Sequence, residues 1–174
     1  KKLRDCKIHL NENKNDIAAL IIEPIQGEGG DNFFRKEFFQ ILRSLCDDNE
    51  ILLIFDEIQT GIGITGKMWA HENYCVKPDI ISFGKKTQVC GIIAGERIDE
   101  IKDNVFVESS RINSTFGGNL VDMMRFKIIL EIIEQEELLK NALKIGAYLL
   151  TQLKTLEDNH PVYVTNSRGL GLWA

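Results

Sequence analysis

Two side chains of complementary chemistry stand at the ends of two apolar runs. Ile51-Leu52-Leu53-Ile54-Phe55 leads into Asp56-Glu57-Ile58-Gln59-Thr60-Gly61, and Ile80-Ile81-Ser82-Phe83-Gly84 leads into Lys85-Lys86. Such runs read as buried strands, and α/β sheets gather ligands at the C-terminal ends of their strands. A carboxylate placed there can keep a pyridine nitrogen protonated, so that the ring withdraws electrons. A lysine amine can join an aldehyde as a Schiff base and then move protons between carbons. The two together are what pyridoxal 5'-phosphate chemistry needs. Ile58 could pack on the flat face of such a ring, and the Gln59 amide could donate to a phenolate oxygen. Taken singly, Asp56 would be a helix cap or surface ion partner, and Lys85 and Lys86 a solvated pair of which at least one is merely surface.

Two loops add polar groups. Glu23-Pro24-Ile25-Gln26-Gly27-Glu28-Gly29-Gly30 closes an earlier apolar run and puts Glu28, and with it Glu23, on the rim of the same pocket; its glycines otherwise need mean no more than a turn. Asn113-Ser114-Thr115-Phe116-Gly117-Gly118-Asn119 offers hydroxyls and backbone amides ahead of a long helical pattern, suited to capping that helix or to holding a phosphate. A rival reading takes Asp56-Glu57 as a magnesium-binding strand end and Gly61-Ile62-Gly63-Ile64-Thr65-Gly66-Lys67 as a phosphate loop. Met68 stands where that loop needs a hydroxyl, the loop follows the acidic strand instead of preceding it, and no apolar strand leads into Gly61.

The elements that must position these residues follow from periodicity. Residues 1–16 read as the end of a charged helix and a polar turn. Ile17–Ile22 is a strand buried on both faces, and Phe38, Phe39, Ile41, Leu42 and Leu45 mark an amphipathic crossover helix over 35–48. After the strand at 51–55 come a short helical stretch near 66–75, a strand at 80–83 and a fourth strand over Val89–Ala94. A long helical pattern covers 121–154, bent near Glu137 or Gly146, and 162–174 reads as a strand just beginning. Strand alternating with helix is the grammar of an α/β fold, a mostly parallel sheet with flanking helices.

The 174 residues, 44% hydrophobic, fit one domain with a real core. A formal net charge of −5 argues against nucleic acid or an anionic membrane surface as partner. No apolar run is long enough to span a membrane. Four cysteines without C-x-x-C spacing and three histidines give no metal site, and free thiols suit a cytoplasmic protein, or one of an organelle matrix if a targeting segment lies upstream. A last strand without a partner, in a narrow sheet, is expected of a piece of a larger protein.

Taken together, the segments over 17–119 resemble the class III aminotransferases, pyridoxal phosphate enzymes of fold type I. The resemblance rests on Asp-Glu-Ile-Gln-Thr-Gly, on a Gly-Lys after the next strand, and on Ser-Thr-Phe-Gly-Gly-Asn, in that order. Within that family, Phe83–Gly91 and Ser110–Leu120 are most similar to members acting on the terminal amine of L-lysine with 2-oxoglutarate as acceptor. The resemblance implies the central part of the large cofactor domain over 1–161, with 162–174 starting a small domain. It implies Lys85 as the Schiff-base lysine, Asp56 at the pyridine nitrogen, Ile58 behind the ring and Gln59 at the 3-oxygen. Ser114 and Thr115 would hold the phosphate, Thr115 that of the other subunit of a homodimer, while Glu28, Glu23 and Asn113 would face substrate, Glu28 as a switch carboxylate. The implied products are 2-aminoadipate 6-semialdehyde and glutamate. Donors such as ornithine or 4-aminobutyrate, or a remnant that keeps the fold without activity, are the alternatives, and the piece alone is expected to be inactive.

Overall fold

The computed structural model describes residues 2–12, 16–115 and 117–174. A four-stranded sheet in the order β1-β4-β5-β6 is its centre. Strands β1 (Ala19–Ile22), β4 (Leu52–Asp56) and β5 (Ile80–Phe83) run parallel, in register Ile22↔Phe55 and Asp56↔Ser82. Strand β6 (Gly91–Ala94) turns back antiparallel along β5, with Phe83 opposite Gly91. Between β1 and the first crossover a short antiparallel hairpin forms, β2 (Ile25–Gln26) with β3 (Asn32–Phe33). The helices are α1 (Lys2–Glu12), α2 (Lys36–Asp48), α3 (Leu120–Gln135) and α4 (Leu138–Asn159). Among the described residues no helix is long and apolar enough to cross a membrane.

The crossover helix explains the core. Phe39, Leu42 and Cys46 fall at helical spacing on one face of α2, and all three are buried against Leu53 and Phe55, the inward residues of β4. The Phe39 ring meets Phe55 edge-on at 5.4 Å between centroids and lies 4.5 Å from Tyr74. Each such side chain contributes about 1.5–3 kcal/mol by leaving water. This packing fixes β4, and so fixes where Asp56 emerges.

Several expectations are corrected. The strand expected from Ile17 begins at Ala19 and is not buried on both faces: Leu20 and Ile22 pack on the core cluster, while Ile21 is 64% exposed, because helices cover only one side of this edge strand. The short helical stretch expected near 66–75 does form, as a 3-10 turn over Ala70–Tyr74. Of the two places where the sequence predicts a bend in the long helical pattern, it breaks at Glu137, as expected, with a left-handed φ of 51°, and α4 runs on through Gly146. There the glycine permits contact, since a Cβ at Gly146 would lie 1.9 Å from the carbonyl oxygen of Gly171. The tail forms no strand: Leu170 and Trp173 make one isolated bridge, and the Leu172 N–H donates to the carbonyl of Ile64 at 2.8 Å. Part of the polar turn expected before β1, residues 13–15, lies outside the described residues.

Helix α3 differs from α2. None of its side chains is buried, and Leu120 is 82% exposed, with Val121, Met124 and Ile128 also open. Its one aromatic, Phe126, stacks on Phe83 at the end of β5, and Trp69 approaches Phe83 at 6.2 Å.

Candidate active site

At the C-terminal edge of the sheet, β4 and β5 end side by side. The Glu57 N–H donates to the Ser82 carbonyl at 3.0 Å, which continues the strand pairing one residue beyond Asp56. Asp56 Oδ1 accepts from the Ser82 hydroxyl and from the Ile58 N–H, each at 3.1 Å. These two bonds orient the carboxylate and leave Oδ2 without a hydrogen bond among the described residues. A half-buried carboxylate held by one oxygen and open at the other can accept one further N–H.

The lysines follow β5 through Gly84, a buried residue of extended backbone with little room for a side chain: a Cβ there would sit 3.0 Å from Cys90 Sγ and 3.5 Å from Ile58 Cγ2. Ile58 is thereby seated beside the residue that precedes the lysines. Lys85 opens a 3-10 turn, Lys85–Thr87, at a φ of 49°, a left-handed conformation that costs an ordinary residue about 1–2 kcal/mol. Its exposed Nζ donates to Gln59 Oε1 at 3.2 Å. Lys86 is half-buried, and its Nζ donates to the backbone carbonyl of Gln59 at 2.5 Å. Burial, and then the charge of Lys85, lower the Lys86 pKa, opposed in part by Glu57. Lys85 is thus the exposed lysine and meets the Gln59 side chain, whereas Lys86 lines a cleft among apolar residues.

The residue that sequence reasoning left without a role is Glu57. It is 1% exposed and accepts four hydrogen bonds: from the Thr60 hydroxyl at 3.0 Å, the Ala70 N–H at 2.7 Å, the His71 N–H at 2.8 Å and His71 Nδ1 at 2.9 Å. It closes the 57–71 excursion on itself and keeps the Asp56–Gln59 segment in place. A carboxylate next to Asp56 was visible in the sequence; its partners were not. Tyr74 stands near it, and burial, reinforced by the Glu57 charge, pushes that phenol up to about 12.

The remaining expected residues are dispersed. Glu23 anchors its own loop, Oε2 accepting from the Gly27 N–H at 3.2 Å. Gly27 in turn crowds the Gln59 amide, where a Cβ would fall 2.8 Å from Oε1, so this loop does border the site. Glu28 is exposed and makes no hydrogen bond among the described residues. Asn113, Ser114 and Thr115 are exposed in the loop ahead of α3, and their side chains bond neither Asp56, Gln59 nor Lys85. Phe116 lies outside the described residues. Asn119, beyond them, caps α3, its Oδ1 accepting from the Val121 N–H at 2.9 Å. The Gly61–Lys67 segment departs from a phosphate loop: Lys67 is exposed, no α-helix opens there, and Gly66 lies under Leu143 of α4. A cleft of about 520 Å³ lies among Met68, α3 and α4 and includes none of the site residues.

The family described as "Aminotransferase class-III" matches residues 1–174. The chain is 53% identical over 170 residues to the L-lysine-epsilon aminotransferase of Mycobacterium tuberculosis, covering 98% of this chain and 38% of that protein. It is 37% identical over 171 residues to the 4-aminobutyrate aminotransferase of Emericella nidulans, covering 97% and 33%. A solved lysine aminotransferase of M. tuberculosis superimposes with a TM-score of 0.95 at 53% identity, covering 98% of this chain and 39% of that one. The chain thus spans well under half the length of the relatives it matches. The parallel sheet with its flanking helices is the fold of these enzymes, and the chain belongs to the class III aminotransferases.

Proposed function

We propose that the complete protein is a pyridoxal phosphate-dependent aminotransferase that moves the terminal amino group of L-lysine to 2-oxoglutarate, giving 2-aminoadipate 6-semialdehyde and glutamate. The observation that carries this reading is that Asp56 and Lys85 emerge from the C-terminal ends of two adjacent, parallel strands. Strands β4 and β5 end together, Ser82 and Ile58 hold one oxygen of Asp56, and Gln59 receives Lys85 Nζ. The donor set fits the cofactor: Asp56 Oδ2 is an open acceptor for a ring N–H, Lys85 is an accessible primary amine, Ile58 bonds the carboxylate and Gln59 bonds the amine. When bound, pyridoxal phosphate supplies an aldehyde for amines and a ring that draws electron density from the donor carbon.

The chain's own residues then have distinct tasks. Asp56 holds negative charge fixed where the ring nitrogen needs it, the kind of preorganised electrostatics that contributes most to many enzymes. Lys85 Nζ takes and returns the proton of the donor carbon. Glu28, exposed at the rim, faces substrate as the switch carboxylate, with Glu23 bracing its loop and Asn113 on the opposite loop. The side chains of Ser114 and Thr115 make no hydrogen bond among the described residues, which supports a role toward the phosphate held by the partner subunit of a homodimer. Residues 1–161 belong in this reading to the cofactor domain and 162–174 to the start of the small domain.

The higher identity to the lysine enzyme than to the 4-aminobutyrate enzyme supports lysine as donor. The test is a comparison of kcat/KM for lysine, ornithine and 4-aminobutyrate, each with 2-oxoglutarate, in the complete protein. Lysine should lead. A lead by ornithine or 4-aminobutyrate would overturn the donor, and no glutamate from any of them would overturn the reaction.

A further inference from the structure

The paired lysines are bound by one residue in two ways. Lys85 Nζ meets the side-chain oxygen of Gln59 at 3.2 Å, and Lys86 Nζ meets the main-chain oxygen of the same residue at 2.5 Å. Lys86 pairs with no carboxylate among the described residues; the Gln59 carbonyl is its hydrogen-bond partner. Its side chain lines a cleft of about 280 Å³ whose other walls include Ile62, Ile64, Leu138 and Leu139. A half-buried ammonium with apolar walls and a neutral carbonyl for partner is an expensive arrangement unless the bond it makes is needed. Burial and the neighbouring Lys85 accordingly lower its pKa.

The bond falls where the Asp56–Gln59 segment has fewest other ties. The Glu57 carbonyl is taken by the Gly61 N–H at 2.9 Å, and the Glu57 side chain fixes Thr60, Ala70 and His71. At Gln59 itself, the backbone of Gly27 crowds the amide from one side and Lys86 grips the carbonyl. Without Lys86, the Gln59 peptide could rotate and carry its side chain away from Lys85. We propose that Lys86 is a positioning residue, which holds the Gln59 carbonyl so that the Gln59 amide stays opposite the reactive Lys85. The two lysines thus divide the work: one reacts, and the other fixes the residue that faces it. This rests on the assignment of Lys85 under the proposed function.

The test compares Lys86→Met, which keeps length and suits the apolar cleft, with Lys86→Arg, which keeps a charged donor, in the complete protein. In Lys86→Met, kcat with lysine should fall about 10-fold with KM changed less than about 2-fold, and Lys86→Arg should recover most of the loss. Independently of turnover, amide hydrogen exchange over Ile58–Gly61 should rise about 10-fold in cofactor-free Lys86→Met, while β4 and β5 stay protected. Wild-type kcat and exchange in Lys86→Met, or a uniform rise in exchange across the sheet, would overturn the proposal. Borohydride trapping in the wild-type protein separates this from failure of the underlying reading: cofactor trapped at Lys86 would remove Lys85 from its role, whereas trapping at Lys85 leaves that role standing whatever the Lys86 variants show.

Discussion

The two ends of strands β4 and β5 are built on opposite plans. At the N-terminal end, Asp79 is 8% exposed and its Oδ2 accepts from Arg43 Nη1 at 2.9 Å, the Leu53 N–H at 2.7 Å and Arg97 Nη1 at 3.4 Å. Arg97 also reaches the Ile51 carbonyl, and Arg43 grips Asp47 with two nitrogens. This network ties α2, β4, β5 and the Glu96–Glu100 turn into one block. Burial works against the Arg43 charge, but hydrogen bonds to Asp79 and Asp47 outweigh it and raise its pKa. At the C-terminal end, Asp56 keeps an oxygen open, Lys85 sits at a positive φ, and Glu28 and Thr115 bond nothing among the described residues. One end uses its hydrogen-bonding capacity for rigidity; the other keeps some for a ligand.

That contrast can be broken by mutation. Lys85→Ala should lower turnover in the complete protein on the order of 1000-fold or more, with little change in melting temperature. Asp79→Ala should do the reverse. It leaves the buried Leu53 N–H without its acceptor and removes one bond each from Arg43 and Arg97, which keep Asp47, and should cost about 2–3 kcal/mol in chemical denaturation while folded molecules keep their rate. Asp56→Ala should slow turnover roughly 100-fold and change stability by only about 1 kcal/mol, since two part-buried hydrogen bonds are lost. Loss of stability without loss of rate in Asp56→Ala would erase the distinction between the ends.

The smallest effect concerns the core that joins them. Burial pushes the Cys46 thiol, from an ordinary 9.0, up to about 11. The folded state therefore keeps its proton where the unfolded chain has lost it, so stability should be intact below about pH 9 and fall as pH rises toward about 11. Urea denaturation at about pH 8 and about pH 10.5 should show a shallower decline in Cys46→Ala than in wild type.

Legibility in the sequence divides along the same line. Apolar runs ending in Asp56 and at Gly84-Lys85 located both strands and their chemical ends, because burial pattern and terminus are local properties. The periodicity of Phe39, Leu42 and Cys46 likewise marked the helix that covers them. Pairing partners were not local. That β6 runs antiparallel, that the 23–33 loop holds a hairpin, and that Leu170–Trp173 is only a bridge all depend on contacts distant in sequence. Glu57 shows this most plainly, since a buried carboxylate at a strand end looked like an exposed one until Ala70 and His71 supplied its bonds. The reverse holds for Ser114 and Thr115, whose expected roles come from resemblance and whose side chains make no hydrogen bond among the described residues.

The central claim is that Lys85, not the more deeply placed Lys86, carries the reactive amine. Borohydride reduction of the cofactor-loaded complete protein, followed by peptide mass mapping, reads this directly. The tag should lie on Lys85 in wild type and in Lys86→Met and should be absent in Lys85→Ala; a tag on Lys86, or one that persists in Lys85→Ala, would contradict the account.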